Sequence, residues 1–200
     1  MKQSNLLLGI AILAVIIALA NAIVVLQKVD NLETLSGHAS VEGTANLQVL
    51  DNIAINFTND EINWGAGMHN NDTTEATLDS EGTVTGGNWT AVSTGLVLEN
   101  TGNVNASIDL AAGKDASQFI GGTSPSYKWK SENNEAGSCS GTLSDTTYTS
   151  VTTGAGKTLC SEMRYIADSD VLEFDIEVVV PEDTPKESKT DTITATATSV

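Results

Sequence analysis

Apolar residues crowd together over the first 35 positions and alternate with polar ones after Gly37. From Leu6 to Leu26 the chain reads LLLGIAILAVIIALANAIVVL, with no charge and one strongly polar residue, Asn21. At a rise of ~1.5 Å per residue, a helix of that length crosses the ~30 Å hydrocarbon layer of a bilayer. The pattern therefore predicts a transmembrane helix over this run. Leu26, Val29, Leu32 and Leu35 then recur every three residues, which predicts a short amphipathic continuation ending at Gly37. That stalk either touches neighbouring molecules or rests on its own domain.

Beyond Gly37 the period changes to two. Val41, Gly43, Ala45, Leu47 and Val49 alternate with Glu42, Thr44, Asn46 and Gln48, the pattern of a strand with one wet face. Ile53, Ile55 and Phe57 repeat it. Leu96 to Glu99 and Ala106 to Leu110 flank the turn-like Asn100-Thr101-Gly102-Asn103, and Leu172, Phe174, Ile176, Val178 and Val180 form the longest run, closed by Pro181. Near the end, TITATATS at 192–199 puts Ile193, Ala195 and Ala197 on one face and threonines on the other. With Gly86-Gly87 and Gly121-Gly122 punctuating the alternation, the expectation is mostly β: a single sandwich, immunoglobulin-like or jelly-roll-like, of about 8–10 short strands behind one hydrophobic helix.

Composition locates this architecture. The chain has 200 residues, only 4% aromatic and 18% charged, and a formal net charge of -17. Lys2 and Lys28 cancel Asp30 and Glu33 up to Leu35, so the whole excess falls on the later segment. An acidic field of that size repels phosphate backbones and anionic lipid headgroups, which argues against nucleic acid as a partner and against a peripheral membrane role for that segment; it keeps a surface solvated and attracts cations such as Ca²⁺. The weak positive bias before Leu6 predicts a cytoplasmic amino terminus at 1–5, a membrane helix and stalk at 6–35, and an extracellular acidic domain at 36–200. Ala20-Asn21-Ala22 also fits a small-x-small cleavage pattern, so a cut leaving a secreted domain that starts at Ile23 stands beside retention as a single-pass anchor.

Candidate chemistry is sparse. Cys139 and Cys160 are the only cysteines, and in an exported chain the pair predicts a disulfide closing a loop of about twenty residues, worth on the order of 3 kcal/mol. Asn-x-Ser/Thr sequons stand at Asn56, Asn71, Asn88 and Asn105; the first and last fall in predicted strands, which favours Asn71 and Asn88 for glycans. Asp168 and Asp170 are the named Ca²⁺ candidates, in the absence of an Asp-x-Asp-x-Asp-Gly loop, and no other cofactor is implied. Two histidines, no Gly-x-Ser-x-Gly elbow, no phosphate loop and no His-Glu-x-x-His helix leave no recognisable activated nucleophile, so no enzyme is expected. Trp64, Trp89 and Trp129 read as core packing, with a carbohydrate platform as the alternative.

The stretch GLVLENTGNVNASIDL at 95–110 resembles the strand, Asn-Thr-Gly turn, strand signature of surface β-sandwiches, including archaeal envelope modules and camelysin-like biofilm-fibre proteins. An apolar amino-terminal helix followed by a β domain is also similar to archaeal pilins and archaellins, whose helices pack into a filament core. From their basic n-regions this chain departs, since Met1 to Asn5 offers only Lys2. The resemblances imply adhesion or assembly. The expected function is therefore a non-enzymatic, membrane-anchored envelope protein that contacts other cell-surface proteins. The alternatives are a filament subunit contacting like subunits, assembled through the helix or by strand addition with 41–49 as donor, and a secreted carbohydrate-binding module or hydrolase.

Overall fold

The computed structural model describes residues 12–25 and 44–200. The first segment is a helix, α1 (residues 12–25), whose large apolar side chains are all more than half exposed. Among the described residues no helix is long and apolar enough to cross a membrane; the flanks of the predicted span, 6–11 and 26, and the predicted stalk lie outside the described residues. A compact unit occupies 49–200.

That unit is antiparallel β structure throughout its sheets: β1 (Ile55–Asn59), β2 (Glu75–Asp79), β3 (Val84–Thr85), β4 (Leu96–Asn100), β5 (Ala106–Ala112), the one-turn α2 (Ala116–Phe119), β6 (Ser126–Asn133), β7 (Thr149–Ser150), β8 (Lys157–Met163), β9 (Val171–Pro181) and β10 (Ile193–Ser199). The chain is mostly β with one amino-terminal helix, as the periodicities predict. One expectation needs correction: of the strand predicted over 41–49, residues 44–49 form no strand, and 41–43 lie outside the described residues. Alternation gives a segment a strand-like face, but a strand also needs an edge to bond, and 44–54 join no strand ladder, with Leu47, Val49, Leu50 and Ile53 exposed.

The longest alternating run becomes the organiser of the larger sheet. β9 bonds β6 along one edge over Leu172–Val179, and shares its other edge between β4, opposite Val171–Phe174, and β2, opposite Glu177–Pro181. Even-numbered residues of β9, Leu172, Phe174, Ile176 and Val178, point to the core, as do Tyr127 and Trp129 of β6. β10, β5 and β8 make the smaller sheet, in that order, and its Ala106, Ile108, Leu110, Leu159 and Met163 join the same buried cluster. A single apolar core thus takes side chains from both sheets, with Trp129 and Phe174, both fully buried, as its largest members.

Candidate functional site

Because β2 and β4 divide one edge of β9, the ladder has a gap at Asp175 and Ile176, and Ser80 fills it. Its amide donates to the Ile176 carbonyl (2.9 Å) and its hydroxyl accepts from the Ile176 amide (2.9 Å). The same hydroxyl donates to Asp175 Oδ1 (2.7 Å). Gly95 begins the other side of the gap, where a Cβ would fall 2.6 Å from the Phe174 carbonyl oxygen, so only glycine fits.

Asp175 is on the outward face of β9, opposite Lys130 of β6, yet only 2% exposed. Lys130 Nζ lies 3.3 Å from Asp175 Oδ2, 2.6 Å from Glu81 Oε1 and 3.5 Å from Glu132 Oε2. Tyr148 closes the cluster: its hydroxyl donates to Glu81 Oε2 (2.9 Å) and its ring centroid is 5.6 Å from Nζ. Burial pushes the Asp175 carboxyl above its usual range, against the opposing pull of Ser80 and Lys130. Lys130 also pays a desolvation penalty, which the Glu81 hydrogen bond and the Asp175 charge outweigh, so its ammonium is held more firmly than in water. An ammonium clamped by three carboxylates is a poor nucleophile and a poor base. The neighbouring pair Lys128–Glu177 (2.7 Å) extends this charge ladder along the sheet.

The other buried polar groups are likewise taken up by structural bonds. Trp129 Nε1 donates to Asp145 Oδ2 (2.9 Å), whose other oxygen meets Lys157 Nζ at 2.5 Å. The Tyr127 hydroxyl donates to Asp191 Oδ2 (3.1 Å), and burial with that charge pushes the phenol well above its ordinary range. His69 Nε2 faces the Val180 carbonyl at 2.8 Å, an acceptor only, and therefore carries the proton. The exception is Asp109: its Oδ1 is buried without a hydrogen-bond partner among the described residues, beside a shallow cavity of about 280 Å³ lined by Asp109, Ala111, Gly154, Gly156, Thr194 and Thr196.

Cys139 and Cys160 are disulfide-bonded, with Cα atoms 5.8 Å apart, fastening the loop after β6 to β8. Of the Ca²⁺ candidates, Asp168 is exposed in a left-handed conformation (φ 66°) at the tip between β8 and β9, whereas Asp170 is only 8% exposed. The Asp170 amide donates to Glu135 Oε2 (3.1 Å), and burial, then the charges of Glu135 and Glu99, raise its carboxyl pKa. Among the described residues no group of three His, Cys, Asp or Glu is placed to hold a metal ion, so the two aspartates are not brought into one cage.

Asn71 and Asn88 are exposed outside strands, near the end of β9 at Pro181; the hydrogen bonds Asn70 N to Gly86 O and Asn88 N to Met68 O tie their loops together. Asn56 is exposed on β1, whereas Asn105 is half-buried and spends its amide nitrogen on Glu162 Oε1 (2.8 Å). Trp129 is wholly buried; Trp64 and Trp89 are half-buried, Trp64 donating to the Asp79 carbonyl (3.1 Å) and Trp89 lying against Gly67 and Gly87. The Lys130 network was missed in reading the chain, although Lys-x-Lys-x-Glu at 128–132 and Glu-x-Asp-x-Glu at 173–177 carried a signal for it.

Compared with protein-family models, with curated proteins and with solved structures, the chain matches none of them.

Proposed function

We propose that this chain is a non-enzymatic cell-envelope protein: a single-pass anchor at 6–26 displaying an acidic, disulfide-stapled β-sandwich outside the cell. The observation that carries the reading is the use of the buried ionisable groups. Asp175, Asp145 and Tyr127 are each bonded to structural partners, which supports a stable display domain over a reaction centre. The shared core of the two sheets supports the sandwich, and the uncharged run from Leu6 to Leu26 supports the anchor. Intact mass and amino-terminal residue of the protein purified from its native envelope test it. A start at or near Met1 in the membrane fraction is expected; a start at Ile23 in the medium would overturn the anchor.

A second reading is a filament subunit joined by strand addition. It is favoured by the unpaired, alternating 44–50 segment together with β10, which ends the smaller sheet with one edge unbonded among the described strands. Sedimenting polymers that fall apart when Leu47 and Val49 are replaced by lysine would establish it; monomers throughout would remove it.

A further inference from the structure

The exposed apolar side chains of the β unit are not scattered. Val49, Leu50, Ile53, Tyr165, Ile166 and Val200 lie at one end, and Met68 is the large exposed one at the other. The hydrogen bonds place them. Leu50 O accepts from Asn103 Nδ2 (2.9 Å) and Asn52 O from Asn103 N (3.0 Å); Asn100 N donates to Asp170 O (3.0 Å), and Val200 N to Asn105 O (3.5 Å). Tyr165 and Ile166, 42% and 57% exposed, form the tip between β8 and β9 at this same end, which is where the chain joins the unit.

A second, independent feature is Arg164. It is the only arginine in the sequence, is exposed, and has no carboxylate within ion-pair distance among the described residues, in a chain with 26 acidic residues. An unpaired guanidinium beside an exposed Tyr-Ile pair has the chemistry of the bilayer interface, where tyrosine prefers the headgroup level and arginine binds phosphate oxygens bidentately. Asp51 and Asp168, exposed at this end, the Asp170, Glu135 and Glu99 carboxylates beside Val171, and the acidic field of the whole unit oppose anionic lipid. An anchor changes that balance, because tethering to the bilayer makes even a weak contact effectively intramolecular.

We propose that this end is a lipid-contacting foot, in which Tyr165 and Ile166 enter the headgroup layer and Arg164 takes a lipid phosphate. The inference rests on the anchored reading. It is tested with the full chain in phosphatidylcholine nanodiscs, with and without phosphatidylglycerol, doped with a nitroxide-headgroup lipid, by amide relaxation. Enhancement several-fold greater at 164–167 than at Met68 to Asn71 is expected, abolished by Tyr165→Ser with Ile166→Ser. Arg164→Glu is expected to remove the increment due to phosphatidylglycerol. Both changes are on exposed side chains, so fold loss does not confound them. A chain retained by the disc with no enhancement at 164–167 overturns the foot and leaves the anchor. A chain that is not retained overturns the anchor, and the foot with it. Concentration-dependent broadening of the same residues without lipid would instead assign this surface to a second copy, against the proposal.

Discussion

The two ends of β9, about 34 Å apart across eleven residues, differ in nearly everything except backbone geometry. At Val171 an exposed apolar tip and a staple stand beside a partly buried acidic cluster: the Tyr165-Ile166 tip, the disulfide, the Asp170, Glu135 and Glu99 carboxylates, and Ser138, whose carbonyl accepts from the Arg164 amide (2.8 Å) and whose hydroxyl accepts from the Val171 amide (3.2 Å). At Pro181 the surroundings are polar and unstapled, with two exposed sequons and the Asp183 carboxylate bonded to Thr123. A single sheet can therefore present one end to a surface and the other to water, using only loop chemistry at either end of a shared strand.

The largest expected effect breaks the stapled end. Replacing Cys139 and Cys160 together by serine should lower the unfolding free energy by on the order of 3 kcal/mol, an urea midpoint shift of roughly 1–2 M. Hydrogen exchange should rise most at 134–144, in the loop the bridge fastens, and least at 68–90. Equal increases at both ends would show that the staple acts on the whole unit and not on one end.

A smaller effect reads the charge buried at the same end. The Asp170 carboxyl has a raised pKa because burial, then Glu135 and Glu99, disfavour its ionised form. Its contribution to stability is full below the unfolded value near 3.8 and is lost as pH rises through the folded pKa. Asp170→Asn, which cannot ionise, should therefore melt above the parent near neutral pH, and the gap should close as the pH falls towards 3.8. Thermal melts across that range check the sign; a gap independent of pH would mean that packing, and not ionisation, separates the two.

How much of this was legible in the sequence differs along the chain. β9, β4, β5 and β10 follow from their alternation, and the disulfide from cysteine count and export. The failure at 44–49 has a physical reason, since periodicity describes a face and says nothing about whether an edge is free to pair. The plug at Ser80 was illegible because it arises from two strands sharing one edge. The apolar end was illegible too: 49–53, 165–166 and 200 are distant in sequence and meet only when β4, β5, β8 and β9 bring their ends together.

A third change should lift both ends alike. Asp109 has a buried oxygen with no partner, on the face of β5 that stands between Thr158 of β8 and Thr196 of β10. Asp109→Thr removes the orphan acceptor and inserts a β-branched residue between two others, worth about 1 kcal/mol, or a rise of roughly 2–4 °C in Tm. An unchanged or lower Tm would mean that water in the neighbouring cavity already satisfies that oxygen.

The smallest energetic effect tests the polar end most directly. A glycan is attached through the asparagine side-chain nitrogen, and Asn88 uses only its oxygen, which accepts from the Met68 amide at 2.7 Å. Asn71 has no side-chain hydrogen bond among the described residues, whereas Asn105 Nδ2 is committed to Glu162. In protein from its native host, Asn71→Gln and Asn88→Gln should each lower the intact mass by one glycan, while Asn105→Gln should leave glycan mass unchanged. Away from core packing, Asn71→Gln should shift stability by no more than about 0.5 kcal/mol. Glycans confined to the Pro181 end would keep it hydrated and bias the molecule towards presenting the opposite end to a surface. Glycan mass on Asn105, or on Asn56, which is exposed on β1 opposite Glu99 near the Val171 end, or none on Asn71 and Asn88, would remove that asymmetry and leave the apolar tip and the staple to distinguish the ends.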